Sequence, residues 1–251
     1  MAVSLRPVAV PGRILLRSGC YVSRVIPALE GKNVVITGGD GALGHAVVQA
    51  FLAAGAVCHL PILGPVVTQP TPGAFLTGNV NLTDEAAVSA FFAGLPPLWA
   101  SVHLAGGFQA KPVTETSRSD LDRQLELNLV TAFLCCREAV RAMRASGAGR
   151  IVNVAARVVE APVGGSIAYS VSKAGVAALT RSLAVEVRGD GILVNAVLPS
   201  IIDTPANRAA MPAADTSKWP RAEDLATAIL WLASPENRLT SGALVPVYGL
   251  A

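Results

Sequence analysis

Tyr169 and Lys173 stand four residues apart in Tyr169-Ser170-Val171-Ser172-Lys173. In a helix, that spacing places both side chains on one face. An ammonium beside a phenol favours the phenolate and brings the phenol's pKa toward neutral, so the pair could serve as an acid or a base. Y-x-x-x-K alone also describes any half-buried helix face with a snorkelling lysine. Two other features give it weight. A glycine-rich turn, Thr37-Gly38-Gly39-Asp40-Gly41-Ala42-Leu43-Gly44, lies far upstream, and Asn128 falls between the two.

Strand, glycine-rich turn, helix is the arrangement that receives a dinucleotide pyrophosphate. Gly38 permits the sharp bend, small Ala42 lets the backbone approach the phosphates, and Gly44 lets the helix pack close to the strand. The helix start then offers free N–H groups and a positive dipole end to the anion. An acidic residue ending the second strand would hold the adenosine ribose 2′-hydroxyl, and an arginine there would favour a 2′-phosphate. That place falls near Pro61-Ile62-Leu63, which carries neither, so NADH and NADPH both stay open.

These groups must be positioned by an alternation of apolar strands and amphipathic helices. Strands are expected at 33–36, 57–60, 100–105, 151–155, 192–198 and 243–247. Helices are expected at 42–54, at 84–93 with an N-cap near Thr83, at 169–187 and 220–233, and as one or two across 119–145. Residues 61–78 read as irregular. Strands separated by helices imply an α/β fold, here a Rossmann-type doubly wound parallel sheet with helices on both faces. No internal repeat or linker interrupts the pattern, so residues 31–251 are expected to form a single domain.

At 251 residues the chain suits one such domain, and 52% apolar against 15% charged residues implies a compact core or an oligomer interface. A net charge of +3 is too small to argue for nucleic acid. No apolar run reaches transmembrane length without a charge or a Pro/Gly break. Residues 1–30 carry Arg6, Arg13, Arg17 and Arg24 against Glu30, which reads as a basic tail, disordered or organelle-targeting. Cys20, Cys58, Cys135 and Cys136 form no C-x-x-C pair and match no zinc pattern. No metal is expected, and buried free thiols suit a reducing, cytoplasmic compartment.

Taken together, these residues resemble the short-chain dehydrogenase/reductase family over nearly all of residues 31–251. Thr37 to Gly44 fits its T-G-x-x-x-[AG]-x-G turn, and Asn81-Leu82 falls where the family has an Asp and an apolar residue beside the adenine. His103-Leu104-Ala105-Gly106 stands at the N-N-A-G segment with both asparagines replaced, followed by Gly107. Asn128 occupies the helical Asn position, and Ala174-Gly175 follow the Y-x-x-x-K motif as usual. Pro199 and Thr204 match the loop that meets the nicotinamide carboxamide, with Ser200 in place of a Gly. The resemblance implies an NADH- or NADPH-dependent oxidoreductase acting on a small molecule. In that reading Tyr169 is the proton donor, Lys173 holds the nicotinamide ribose, and Asn128 anchors a water that relays protons through Lys173. It also implies a homodimer or homotetramer, paired through the helices near 131–143 and 169–187.

One departure is large. The family's catalytic serine lies thirteen residues before the tyrosine, and here that position is Ala156. Dihydropteridine reductases, within the same superfamily, also have alanine there. The chain resembles them in Gly41 to Gly44 and in Ala105-Gly106-Gly107-Phe108. The loop from Leu198-Pro199 through Asp203-Thr204-Pro205, Asn207-Arg208, Met211-Pro212 and Ala214-Asp215 to Trp219 is also similar, although those reductases have an Asp where Ile62 lies. A quinonoid dihydropterin accepts hydride without a ketone oxygen that needs a serine. This resemblance implies that Phe108, Ala156, Asn207 and Trp219 bind the substrate, with Arg208 in the same covering loop. A general ketone reductase or alcohol dehydrogenase is the alternative. An alternative of another class is a dinucleotide-binding sensor or scaffold with little turnover. His103 is expected to be a packed histidine rather than a catalytic one. Arg157 and Glu160 fit either the pocket or a solvated loop.

Overall fold

The computed structural model of the protein describes residues 13–15, 21–23, 29–66 and 71–250. In the arginine-rich front, β1 (Arg13–Leu15) pairs antiparallel with β2 (Tyr21–Ser23). Most of the rest of the expected tail, Cys20 included, lies outside the described residues. Leu29 is already fully buried, and its N–H donates to Ala54 O.

Seven parallel strands form the sheet: β3 (Asn33–Thr37), β4 (Val57–Pro61), β5 (Ala74–Thr77), β6 (Leu98–His103), β7 (Gly149–Val154), β8 (Ile192–Pro199) and β9 (Leu244–Val247). Their spatial order is β5-β4-β3-β6-β7-β8-β9. The continuous apolar run of β3 reflects burial on both faces. Val34 and Ile36 pack with α1 (Ala42–Ala53) and α7 (Ala222–Ala233). Val35 packs toward α2 (Glu85–Ala93), α4 (Thr131–Arg144) and α5 (Ile167–Glu186). The chain runs outward from β3 to β5, then returns to β6 on the other side of β3. That reversal opens a crevice at the carboxyl ends of β3 and β6, where doubly wound sheets bind ligands.

The structure differs from the sequence expectations at three places. Within the stretch expected to be irregular, Ala74–Thr77 forms edge strand β5, which has one neighbour and too few residues to show a period. The N-cap of α2 is Asp84, whose side chain accepts from Ala86 N and Ala87 N, while Thr83 bonds back to Asn81. The helices expected across 119–145 are present, as α3 (Arg118–Leu125), a π turn (Glu126–Val130) and α4 in unbroken succession. A short helix, α6 (Pro205–Ala210), follows β8, begun by Thr204 as N-cap. Among the described residues no helix is long and apolar enough to cross a membrane.

Candidate functional site

The glycine turn leaves β3 with Gly38 at φ +64°, a left-handed backbone that glycine adopts without strain. A Cβ on Gly38 would come within 2.9 Å of Ala105 N, and one on Gly44 within 2.0 Å of Gly38 O. The turn therefore lies flat against the segment that follows β6, and Ala105 N donates to Thr37 Oγ1 at 3.2 Å. Gly41 caps α1 with no side-chain bond and no acid in the first turn. The N–H groups of Ala42, Leu43 and Gly44, in the first turn of α1, thus have no side-chain cap and no first-turn acid competing for them, which suits a pyrophosphate. A cavity of about 320 Å³ opens beside them, lined among others by Gly38, Asp40, Gly41, Asn81 and Leu82. The cradle fits a dinucleotide.

A second cavity, of about 720 Å³, lies beyond. Leu104 lines both, so the two adjoin at the end of β6. Tyr169 and Lys173 on α5 line the second cavity together with Phe108, Ala156, Pro199 and Asn207. Leu43, Ile201, Ile202 and Met211 add further apolar wall. Phe108 stands edge-on to the Tyr169 ring, with centroids 4.9 Å apart. Ala156 presents a buried methyl group at 4% exposure where a serine would present a hydroxyl.

The close approach by which the lysine would lower the phenol's pKa is not made. Lys173 Nζ donates to Val154 O at 2.8 Å and lies 5.9 Å from the centroid of the Tyr169 ring. Burial therefore decides both pKa values: the phenol is pushed up to about 12 and the ammonium down to about 8. The expected depression of the tyrosine is corrected on this physical ground.

Asn128 sits in the π turn, a local feature that often marks functional sites. Its amide clamps Gly107 from both sides, accepting from Gly107 N at 3.0 Å and donating to Gly107 O at 2.9 Å. It also donates toward Ser172 Oγ at 3.1 Å and Gln124 Oε1 at 3.3 Å. Ser172 in turn donates to Tyr169 O at 2.7 Å. Asn128 thereby ties the Gly106-Gly107 segment to the helix that carries Tyr169. A Cβ on Gly106 would meet Asn128 Oδ1 at 2.5 Å, which explains the glycine. Sequence reading missed Gln124 and Ser172 as partners, although Ser172 lies inside the Y-x-x-x-K motif.

Other expected residues are placed differently. Thr204 caps α6 by accepting from Asn207 N, and Asn207 donates to Ile202 O at 2.8 Å. Thr204 does not line either cavity. Trp219 is 8% exposed but lines neither cavity; it follows the turn Thr216–Lys218 and packs into the fold. Arg208 is bound by Asp203 outside the pocket. His103 is buried, bonded to Ser101 Oγ and Asn153 Oδ1 at 2.8 Å each, and pushed down to about 4 by burial. It is a packed histidine, as expected. Cys58, Cys135 and Cys136 are buried free thiols, each pushed upward by burial. Arg157 lines the larger cavity and lies over the Tyr248 ring. Glu160 does not line it and accepts from the Tyr248 hydroxyl at 2.8 Å. Tyr248 itself carries no motif that sequence could have offered.

Comparison with known proteins agrees with this geometry. A family model described as short chain dehydrogenase matches residues 32–215. The mitochondrial borneol dehydrogenase of Lavandula x intermedia is 31% identical over 240 residues, covering 88% of this chain and 90% of that protein. The cis-4-hydroxycyclohexanecarboxylate dehydrogenase of Sinomonas cyclohexanicum is 36% identical over 186 residues, covering 68% and 74%. The solved structure of ElxO with NADP bound shares the fold, with a TM-score of 0.80 at 24% identity over 87% of this chain and 98% of that one.

Proposed function

The chain belongs to the short chain dehydrogenase family, and on that premise we propose an NAD(P)-dependent oxidoreductase acting on a small conjugated or carbonyl substrate. The observation that carries this reading is the meeting of two cavities at Leu104, the cradle on one side and Tyr169, Lys173 and Ala156 on the other. When bound, the nicotinamide cofactor supplies or accepts the hydride. The N–H groups from Ala42 to Gly44 would hold its pyrophosphate, with Thr37, Gly38 and Gly41 shaping the turn. Asn81 and Leu82 would flank the adenine. Ala105, Gly106 and Gly107 would form the floor, held by Asn128. Lys173 and Tyr169 would reach the nicotinamide ribose, and the Pro199–Thr204 segment its carboxamide. Tyr169 would give the proton that accompanies reduction, and Phe108, Ala156 and Asn207 would border the substrate.

The adenosine end supports NADH over NADPH. Among the described residues Asp40 is the only charged one that lines the smaller cavity, and no Lys or Arg occurs anywhere from Asn33 to Ala110. Among the described residues a 2′-phosphate would find no cation there and would meet the exposed Asp40 carboxylate. We expect kcat/KM with NADH to exceed that with NADPH by about tenfold or more, a difference of ~1.4 kcal/mol. Leu63 is 72% exposed at the cavity edge, and Leu63→Arg should shift the ratio toward NADPH. Equal rates with both cofactors would refute this preference.

Ala156 supports a second, narrower reading, a quinonoid dihydropterin as substrate. A conjugated ring does not need a serine hydroxyl on a ketone oxygen, whereas losing such a donor can cost a ketone reductase on the order of a hundredfold. The test is oxidation of NADH by the purified protein with quinonoid dihydropterin beside a panel of ketones, repeated with Ala156→Ser. Faster ketone reduction with slower pterin reduction would favour the pterin, and a gain on both would favour a ketone. Cofactor binding without turnover on any of them would favour the sensor alternative. A homodimer or homotetramer is supported by exposed Phe133 on α4 and by Val171 and Val185 on α5. A monomer in analytical sedimentation would sink that assembly.

A further inference from the structure

We propose that Arg157 selects substrates carrying a carboxylate, an assignment that rests on the oxidoreductase reading above. The larger cavity has apolar walls, and among the described residues Lys173 and Arg157 are the only charged ones that line it. No acid among the described residues lines it. Lys173 sits at the reacting end, 7% exposed, with its ammonium on Val154 O. That leaves Arg157 as the remaining fixed positive charge facing the substrate.

Its placement is supported from behind. Arg157 opens the 3-10 turn Arg157–Val159 directly after Ala156, and its guanidinium carbon lies 5.2 Å from the Tyr248 ring centroid. Tyr248 is itself held at both ends. Its hydroxyl donates to Glu160 Oε2 at 2.8 Å, and its backbone oxygen accepts from Ser200 Oγ at 2.8 Å. A guanidinium laid on a fixed ring loses less freedom when its N–H edge binds a partner. Glu160, the nearest acid in sequence, is engaged with the tyrosine and makes no ion pair with Arg157. Among the described residues the Arg157 side chain has no ion pair and no hydrogen bond. By contrast, Lys111 is bound by Asp120 at 2.7 Å and Arg208 by Asp203.

A stacked guanidinium with free N–H donors matches a carboxylate in a two-point, planar contact. Val158, Val163, Ile201 and Met211 offer apolar surface for the body of the ligand. The class of substrate is therefore a small oxo acid with an apolar body, with the corresponding hydroxy acid as its reduced form. An anchor at Arg157 would also fix the orientation of a substrate that Ala156 cannot grip.

The test uses the full chain saturated with NADH and two probes of equal shape, cyclohexanecarboxylate and cyclohexanecarboxamide, titrated by calorimetry. The acid should bind at least about tenfold tighter than the amide. Arg157→Met should erase that difference, and Arg157→Lys, which keeps the charge and loses the fork, should restore part of it. Thermal melting of each variant reports whether it has folded. Equal or undetectable binding of both probes to a protein that binds NADH would overturn the carboxylate assignment alone. An acid preference that survives in folded Arg157→Met would overturn the role of Arg157. Failure to bind either NADH or NADPH would overturn the oxidoreductase reading beneath it.

Discussion

Tyr169→Phe is expected to lower kcat/KM for reduction by about 10²–10⁴-fold, the range for loss of a positioned general acid. The fold should tolerate the change, because the phenylalanine ring keeps the edge-on contact with Phe108 and Tyr169 Oη has no hydrogen-bond partner among the described residues. NADH affinity should change far less than turnover, since most of the cofactor's proposed contacts come from residues other than Tyr169. The pH profile gives a second reading. Burial holds the Tyr169 phenol up at about 12, so it stays protonated through neutral pH and is available as a donor. Giving up that proton creates a phenolate, which the Lys173 ammonium would stabilise. Burial brings Lys173 down to about 8, so its charge is present below that pH and lost as pH rises through it. Reduction by the wild-type protein should therefore fall above about pH 8, and the residual rate of Tyr169→Phe should not show that fall. A variant that keeps a tenth or more of the wild-type rate would remove Tyr169 from the donor role.

What the sequence disclosed, and what it withheld, divides along a physical line. Gly38, Gly44, Tyr169 and Lys173 were legible because each sits in a local pattern that one helix or one turn enforces. The parallel sheet was legible because strands buried on both faces must be continuously apolar, as in Val34-Val35-Ile36. The contacts that set the site's electrostatics join residues far apart in the chain. Lys173 turns to Val154 O, 19 residues away, rather than to the phenol four residues back. Asn128 binds Ser172, 44 residues away, and the platform beneath Arg157 comes from Tyr248 near the end of the chain. The loop resemblance implies that Trp219 binds the substrate, whereas the structure buries this large apolar side chain away from both cavities. Edge strand β5 is too short for periodicity to reveal, and its Phe75 stays 57% exposed against His59.

Gly44→Ala should weaken NADH binding on the order of a hundredfold and cost about 1–3 kcal/mol of stability. The added Cβ would lie 2.0 Å from Gly38 O and 2.7 Å from Gly39 C and Cα. All three are backbone atoms, so no rotamer change relieves the clash; either α1 or the turn must move. The turn has little room to yield, because Gly41 N bonds Gly38 O at 3.1 Å and Gly38 already packs against Ala105 N. A shift there would displace the N–H groups that the proposed pyrophosphate site requires, so affinity should suffer together with stability. Gly39→Ala is the matched control. Its Cβ would meet the Leu60 Cδ2 methyl at 2.9 Å, the far end of a flexible side chain that can turn aside. Calorimetric NADH affinity and melting temperature should therefore fall sharply for Gly44→Ala and only mildly for Gly39→Ala. Equal, small losses in the two variants would mean that close helix-to-turn contact does not shape the cofactor site. A stability loss with unchanged NADH affinity would place the pyrophosphate elsewhere than at the start of α1.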